Sequence, residues 1–211
     1  MIDLSTIALF LPATLALLVV PGPAILYIMT RSINQGRRAG ILSALGVGVG
    51  GLMHVVAATV GLSTLLVASA SAFSVVKYVG AAYLIVLGIR TLRTRGQAYH
   101  GSVTISASLW RIFWQGAIVQ IFNPKVALFF LAFLPQFVDP FRGAVALQTL
   151  FLGGLFVATG ICTDSAYAML ASAAGRRMQS SPRFVRRQRL MTGSIYLGLG
   201  LTTAFAGVEK T

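Results

Sequence analysis

Two charged residues lie inside long apolar stretches, where a charge is energetically costly. Lys125 follows Arg111 by 14 residues, about 20 Å along a helix, and Asp164 precedes Arg176 by 12 residues. If these stretches cross a bilayer, both charges lie near its middle, where each costs at least about 2.5–3.5 kcal/mol and usually faces a cavity, a partner or a proton path. We expect the two to interact, either within a functional site or as a structural salt bridge.

Two proline motifs could interrupt helices at comparable depths, Pro21-Gly22-Pro23 and Asn123-Pro124-Lys125. A proline inside a helix removes a hydrogen bond and clashes with the preceding turn, while Asn followed by Pro is a good start for a new helix. A restarted helix presents N–H groups and partial positive charge that a carboxylate could satisfy. In the alternative, both prolines only kink packed helices, and side chains or water supply the missing bonds.

His54 is a third candidate, because a histidine can titrate near neutral pH and relay protons. A histidine that is simply hydrogen-bonded within the protein is the alternative that we favour. The chain has two histidines, His54 and His100, and no carboxylate cluster. We therefore predict no metal site, no catalytic residues and no cofactor other than a coupling proton.

The composition places these residues in a membrane protein, since 56% of the 211 residues are hydrophobic and only 10% are charged. Each helical crossing of a bilayer needs roughly 20 apolar residues. Apolar runs predict an all-α integral membrane protein with six transmembrane helices, at Leu4 to Thr30, Gly40 to Ser69, Phe73 to Ile89, Ile112 to Val138, Ala144 to Ala174 and Leu190 to Val208.

The net charge of +13 lies on one side of these predicted segments. The loops after segments one, three and five hold thirteen arginines and no acid: Arg31, Arg37, Arg38, Arg90, Arg93, Arg95, Arg111, Arg176, Arg177, Arg183, Arg186, Arg187 and Arg189. On the other side, Asp3, Asp139 and Glu209 balance Lys77, Arg142 and Lys210. The basic face is predicted to be cytoplasmic and both termini periplasmic or extracellular, in a bacterial inner membrane, so the charge indicates no nucleic-acid partner.

A faint internal repeat relates the two halves of the chain. Four matches occur in order: Pro21 with Pro124, Arg38 with Arg142, Gly50-Gly51 with Gly153-Gly154, and Gly80-Ala-Ala-Tyr83-Leu84 with Gly193-Ser-Ile-Tyr196-Leu197. Halves with three crossings each have opposite orientations, as in many secondary carriers. We predict a 3+3 inverted repeat with interrupted helices one and four, dividing the chain into residues 1–95, a cytoplasmic loop at 96–111, and residues 112–211.

Small residues in the second segment favour close helix approach. Gly46, Gly48, Gly50 and Gly51 follow Gly36 and Gly40 at short intervals. Such spacing serves either packing within one chain or a homodimer interface, and the sequence leaves both open.

With these motifs, the chain resembles the lysine exporter (LysE) family, in particular its homoserine/threonine efflux (RhtB) branch. The resemblance rests on Pro21-Gly22-Pro23, on Lys77-Tyr-Val-Gly80-Ala-Ala-Tyr83-Leu84 with Gly88, and on Asn123-Pro124-Lys125 followed by Phe129-Phe130 and Leu134-Pro135-Gln136-Phe137. It implies export of amino acids or related metabolites from the bacterial cytoplasm, driven by the proton motive force. The branch for basic amino acids carries an acid in its second segment; none lies between Gly40 and Ser69, which favours a neutral amino acid.

These observations predict a secondary transporter. The two breaks would face each other near mid-membrane, with Lys125 and the helix N-termini receiving a substrate carboxylate and Asp164 managing the amino group or the proton. One alternative is a membrane-embedded enzyme, although the arginine-rich loops hold no serine-histidine-acid or paired-carboxylate arrangement. Another is an accessory or scaffold subunit whose basic loops bind anionic lipid or a protein.

Overall fold

The computed structural model of the chain describes residues 2–68 and 108–179. It also describes isolated helical positions further along, namely Tyr78, Ala82, Ile85, Val86, Ile89, Leu92, Arg93, Leu190, Ser194, Leu197, Gly198 and Leu201. Most of predicted segments three and six, and most of the predicted loop at 96–111, therefore lie outside the described residues.

Every regular element in the two described ranges is helical. The α-helices are α1 (Leu4–Val19), α2 (Pro23–Ala68), α3 (Leu109–Ile121), α4 (Pro124–Leu128) and α5 (Val145–Gln179). A π-helical turn, Phe129–Phe133, and a 3-10 turn, Leu134–Phe137, continue α4, and a second 3-10 turn, Pro140–Arg142, precedes α5. The chain starts α3 at Leu109, three residues before the predicted boundary, because the Ser108 side chain caps the helix there.

Two of these helices are long and apolar enough to cross a membrane, over Pro23–Gly61 and Val145–Ala173. A third crossing results if two bent segments are taken as one broken span. These segments are Leu109–Ile121 and Pro124–Phe137, and they meet at an angle of 45°. The prediction of a helical membrane protein is confirmed at this level. Large side chains such as Phe151 and Leu170 are exposed on these helices, as expected for surfaces that face lipid.

The chain reverses direction inside α2, at Gly36. This residue has φ 81° and ψ 178°, a backbone conformation that is essentially restricted to glycine. Ile28 and Ala44 would be about 24 Å apart in a straight helix, yet they belong to one buried cluster. Residues 23–35 and 37–68 are therefore two arms of a helical hairpin, called here the first and second arms of α2. Within the candidate span Pro23–Gly61, only the part on the second arm is long enough to cross a membrane as one helix.

Glycines of the second arm allow α3 and α5 to approach closely. A Cβ atom at Gly50 would lie only 2.7 Å from Gln120 Cβ, and one at Gly48 would lie 2.7 Å from the Ile161 side chain. Both are closer than real side chains pack. These glycines therefore serve packing within the chain, one of the two alternatives that the sequence left open.

Replacing Gly50 by alanine should destabilise the protein by about 1–3 kcal/mol, because its new methyl group must push α3 away from the second arm. Gly61 on the same arm is the matched control, since a Cβ there meets no atom within 4 Å. Alanine at position 61 should be neutral or slightly stabilising, because it favours the helix. Thermal unfolding in detergent measures both; equal midpoints for the two variants would refute the packing role of Gly50.

An aromatic core holds the broken helices in place. Phe129 stacks on Phe156 of α5 with ring centroids 4.6 Å apart, and Phe10 of α1 lies 6.1 Å from Phe129. Val20, beside the first proline motif, is buried in the same cluster. The core thus fixes α1, the segment after α4 and α5 relative to one another, and with them the two proline motifs.

Near the N-terminal end of α1, Arg142 forms ion pairs that link the first residues of the chain to the turn before α5. Its Nη1 lies 2.5 Å from Asp3 Oδ2, and its Nε lies 3.2 Å from Asp139 Oδ2. The hydrogen bond that the Arg142 guanidinium donates to Asp3 raises the pKa of Arg142 above its ordinary value. These three residues, which the charge pattern assigns to one side of the membrane, therefore lie together.

Candidate functional site at two helix breaks

The first proline motif interrupts the chain between α1 and α2. The α-helical pattern stops at Val19 and resumes at Pro23, with Gly22 buried between them. Because the chain bends away, the carbonyl groups at the end of α1 must find donors outside their own helix. The Tyr167 hydroxyl donates to the Val19 carbonyl oxygen at 2.7 Å, and Lys125 Nζ donates to the Val20 carbonyl oxygen at 2.6 Å.

The second motif interrupts the chain between α3 and α4, and Asn123 caps the new helix as predicted. Asn123 Oδ1 accepts a hydrogen bond from Lys125 N at 3.2 Å, and Pro124 occupies the first turn. The Asn123 carbonyl oxygen accepts from Val126 N and Ala127 N at 3.1 Å each. Asn123 therefore satisfies the N–H groups of the first turn, which fits the alternative in which side chains supply the missing bonds.

Lys125 joins the two breaks. It lies directly after Pro124, and its side chain reaches the carbonyl oxygen of Val20, directly before Pro21. The side chain is only 5% exposed, so the ammonium is enclosed by protein. The two interruptions, joined by residues that are 105 positions apart in sequence, therefore meet in space, as expected from the sequence.

Asp164 on α5 lies near Lys125, and only 5% of its surface is exposed. Its carboxylate interacts electrostatically with the Lys125 ammonium. The ion pairs found within residues 2–68 and 108–179 are both those of Arg142, so Lys125 and Asp164 form no direct salt bridge in this conformation.

His54 supports the second break from the second arm of α2. Its Nε2 lies 2.9 Å from the Gln120 carbonyl oxygen, and since a carbonyl only accepts, Nε2 carries the hydrogen. The ring also stacks on Phe130 with centroids 6.0 Å apart. His54 is thus a hydrogen-bonded histidine, the alternative favoured above, while a proton relay stays a prediction.

If His54 only supports the end of α3, its replacement by leucine should cost about 1 kcal/mol of stability, as expected for one lost hydrogen bond. The dependence of transport on pH should keep its shape. Transport rates of both proteins across pH 5–8, together with their unfolding midpoints, test this. A pH profile that loses a transition near neutrality would instead assign proton transfer to His54.

Arg31 corrects one expectation. It was predicted to lie in the loop after segment one, but it lies in the first arm of α2 and is only 7% exposed. Its Nη2 donates to Gln115 Oε1 at 2.7 Å, and its guanidinium lies 5.4 Å from the centre of the Tyr27 ring. The hydrophobic pattern predicted that the segment ends at Thr30, because a charged residue such as arginine usually marks the end of an apolar segment. In the structure, the helix continues to the turn at Gly36.

Two residues of the break region escaped the sequence analysis. Tyr167 follows Asp164 by one helical turn, so its spacing on an apolar helix was an available signal. Gln120 is 5% exposed and accepts a hydrogen bond from Asn123 Nδ2 at 3.1 Å, which fixes the Asn123 cap. Its spacing of three residues from Asn123 was a weaker signal.

The cluster at the breaks, defined as Lys125, Asp164, Tyr167 and the carbonyl groups of Val19 and Val20, offers a buried cation, a buried anion and hydrogen-bonding groups. Such groups complement a small zwitterion, whose carboxylate and ammonium need opposite partners. Interrupted helices and buried charges among apolar spans are features of membrane transporters.

The comparisons with known proteins agree with that class. The chain matches the LysE type translocator family over residues 15–207. It is 34% identical to a homoserine/homoserine lactone efflux protein of Salmonella typhimurium over 186 residues, or 88% of this chain and 89% of that protein. It is 30% identical to an uncharacterized membrane protein of Vibrio cholerae over 186 residues, covering 88% and 90%. A leucine efflux protein of Salmonella choleraesuis is 33% identical over 134 residues, 62% of each chain.

No solved structure gives a significant match. The chain belongs to the LysE family of translocators, which confirms the resemblance stated from the motifs, including its homoserine efflux branch. It is a multi-pass membrane transporter and not an enzyme.

Proposed function

We propose that this protein exports neutral amino acids, or related metabolites, from the bacterial cytoplasm, using the proton motive force. Two named relatives are efflux proteins for homoserine or its lactone and for leucine, which are neutral amino acids or derived from one. The observation that carries the proposal is the hydrogen bond from Lys125 Nζ to the Val20 carbonyl oxygen, because it brings both helix breaks and a buried charge to one point.

In this proposal, the substrate carboxylate displaces the Val20 carbonyl from Lys125. The substrate ammonium, or the coupling proton, is held by Asp164. The bond between Lys125 and Val20 would then belong to a substrate-free state, in which the protein's own carbonyl satisfies the ammonium. Exchange of one partner for the other costs little net hydrogen bonding, which suits a site that must bind and release.

The proposed architecture is six transmembrane helices in two inverted halves of three. Two features of the described residues support it. Gly36 (φ 81°, ψ 178°) and Gly143 (φ 68°, ψ −175°) share nearly the same unusual backbone conformation, and each follows a broken helix and precedes a long one.

The second feature is a reciprocal contact between those long helices. A Cβ at Gly51 would lie 3.2 Å from Val157 Cγ2, and a Cβ at Gly153 would lie 2.7 Å from Val55 Cγ1. Each valine lies four residues after the glycine of its own helix, Val55 after Gly51 and Val157 after Gly153. In both directions, a glycine of one helix packs against a valine of the other. A two-fold axis between repeats produces such a reciprocal contact.

The proposed orientation has the arginine-rich loops in the cytoplasm and both termini outside, in the bacterial inner membrane. The ion pairs of Arg142 with Asp3 and Asp139 would then lie on the outer face. A homodimer stays a proposal, and the glycines considered for it above are engaged within the chain at Gly48 and Gly50.

Resistance to toxic amino acids tests the proposed export, because an exporter lowers the cytoplasmic concentration of its substrate. Cells that overproduce the protein should grow in homoserine, leucine analogues or other neutral amino acids at concentrations that arrest cells with an empty vector. Cells with equal amounts of the Asp164→Asn variant are the matched control and should be arrested. If overproduction protects against no member of a broad panel, the proposed export is wrong.

A further inference from the structure

A second buried polar cluster lies apart from the breaks, between the first arm of α2 and α3. At its centre is Arg31, whose Nη2 donates to Gln115 Oε1 at 2.7 Å. Gln115 precedes Asn123 by eight residues, or about 12 Å along a helix. The cluster is therefore a separate location, nearer to the turn at Gly36.

Two buried N–H donors of the Arg31 guanidinium make no hydrogen bond to the described residues. Its Nε and Nη1 find no hydrogen-bond partner among the residues that the structure describes, although the side chain is more than nine-tenths buried. Gln35 lies one turn further along the same arm, and its buried Oε1 accepts no hydrogen bond from the described part of the chain. Buried polar groups are nearly always hydrogen-bonded, so this arrangement indicates an additional partner.

The acids of residues 2–68 and 108–179 do not neutralise Arg31. Asp3 and Asp139 pair with Arg142, and Asp164 interacts with Lys125. A buried guanidinium without a counter-charge is unfavourable, and a carboxylate that accepts two parallel N–H bonds is its best complement. The free N–H groups of Arg31 among the described residues therefore suit an oxyanion of carboxylate type.

We propose that Arg31 and Gln35 form an entry site for an amino acid on its way to the helix breaks. The guanidinium binds the substrate carboxylate, Gln115 holds the guanidinium in place, and Gln35 Oε1 accepts a hydrogen bond from the substrate ammonium. The proposal rests on the export function above, since it takes an amino acid as the cargo. With the arginine-rich side in the cytoplasm, the cargo meets Arg31 before it reaches Lys125.

A binding measurement on the purified full chain tests the entry site without any transport. Sodium propionate is a bare carboxylate, and propionamide is its uncharged analogue of the same shape. Both are added in an uncharged detergent, and sodium chloride brings the propionamide sample to the ionic strength of the propionate sample. Propionate should raise the unfolding midpoint by about 2–4 °C, and propionamide should not. Arg31→Gln should abolish the propionate response, whereas Arg37→Gln, which removes an exposed arginine from the same hairpin, should retain it.

Gln115→Glu covers the case in which Arg31→Gln fails to fold. The new carboxylate stands beside the guanidinium, so this variant should unfold at a higher temperature and no longer respond to propionate. The entry site is refuted if the wild type ignores propionate, if Arg31→Gln or Gln115→Glu responds like the wild type, or if only phosphatidylglycerol, a lipid phosphate, raises the midpoint. An intact propionate response without amino-acid flux would instead refute the export function alone.

Discussion

Replacing Asp164 by asparagine should reduce export, per molecule of protein in the membrane, at least about tenfold. Asparagine has the size of aspartate, so the packing of α5 is retained, but it carries no charge and exchanges no proton. The Lys125 ammonium then loses the buried anion with which it interacts. A loss of about 1.4 kcal/mol of substrate or transition-state interaction already gives a tenfold change. Efflux of labelled amino acid, normalised to the amount of protein in the membrane, measures the effect.

The matched control is Asp139→Asn, which removes a carboxylate from the exposed ion pairs of Arg142. Exposed ion pairs contribute little, so this variant should export at close to the wild-type rate. Equal rates for Asp164→Asn and the wild type would remove Asp164 from the mechanism. Equal losses in both variants would indicate a general effect of lost acids instead of a site at α5.

Replacing Lys125 by methionine should have the second large effect, on both stability and transport. Methionine retains most of the length of the side chain, but the Val20 carbonyl loses its donor and Asp164 loses the nearby cation. Removal of one partner from a buried charged pair typically costs about 3–5 kcal/mol. The unfolding midpoint in detergent should therefore fall by about 10 °C, and efflux should be lost.

The double variant Lys125→Met with Asp164→Asn separates stability from function. With neither charge left buried, it should recover much of the stability that the lysine variant loses, and the two changes should be strongly non-additive. Export should remain absent, because both proposed substrate contacts are gone. Additive losses of stability in the double variant would show that the two charges do not interact.

The helix breaks were predictable because their cause is local. Proline lacks an N–H group wherever it stands, so Pro21, Pro23 and Pro124 constrain the chain before any tertiary contact forms. The Asn123 cap is local for the same reason, since its partner is two residues away. The burial of Lys125 and Asp164 followed from their distance to the nearest arginines, which is also read along the chain.

The partners of these charges were not predictable, because they come from distant parts of the sequence. Lys125 binds a carbonyl 105 residues away, and Arg31 binds a glutamine 84 residues away. A hydrophobicity pattern says that a charge interrupts an apolar run, but it cannot say whether the helix continues through that charge. At Arg31 it does, because Tyr27 and Gln115 surround the guanidinium, and the chain turns only at Gly36.

Counterflow with the purified protein in lipid vesicles tests the central claim most directly. Vesicles preloaded with unlabelled homoserine or leucine and diluted into a trace of the labelled compound should accumulate label transiently, because a carrier exchanges substrate across a single site. Vesicles with the Asp164→Asn variant should accumulate no more than protein-free vesicles. If the wild-type protein gives no counterflow with any neutral amino acid tested, the meeting of the two breaks around Lys125 is not a site for amino-acid transport.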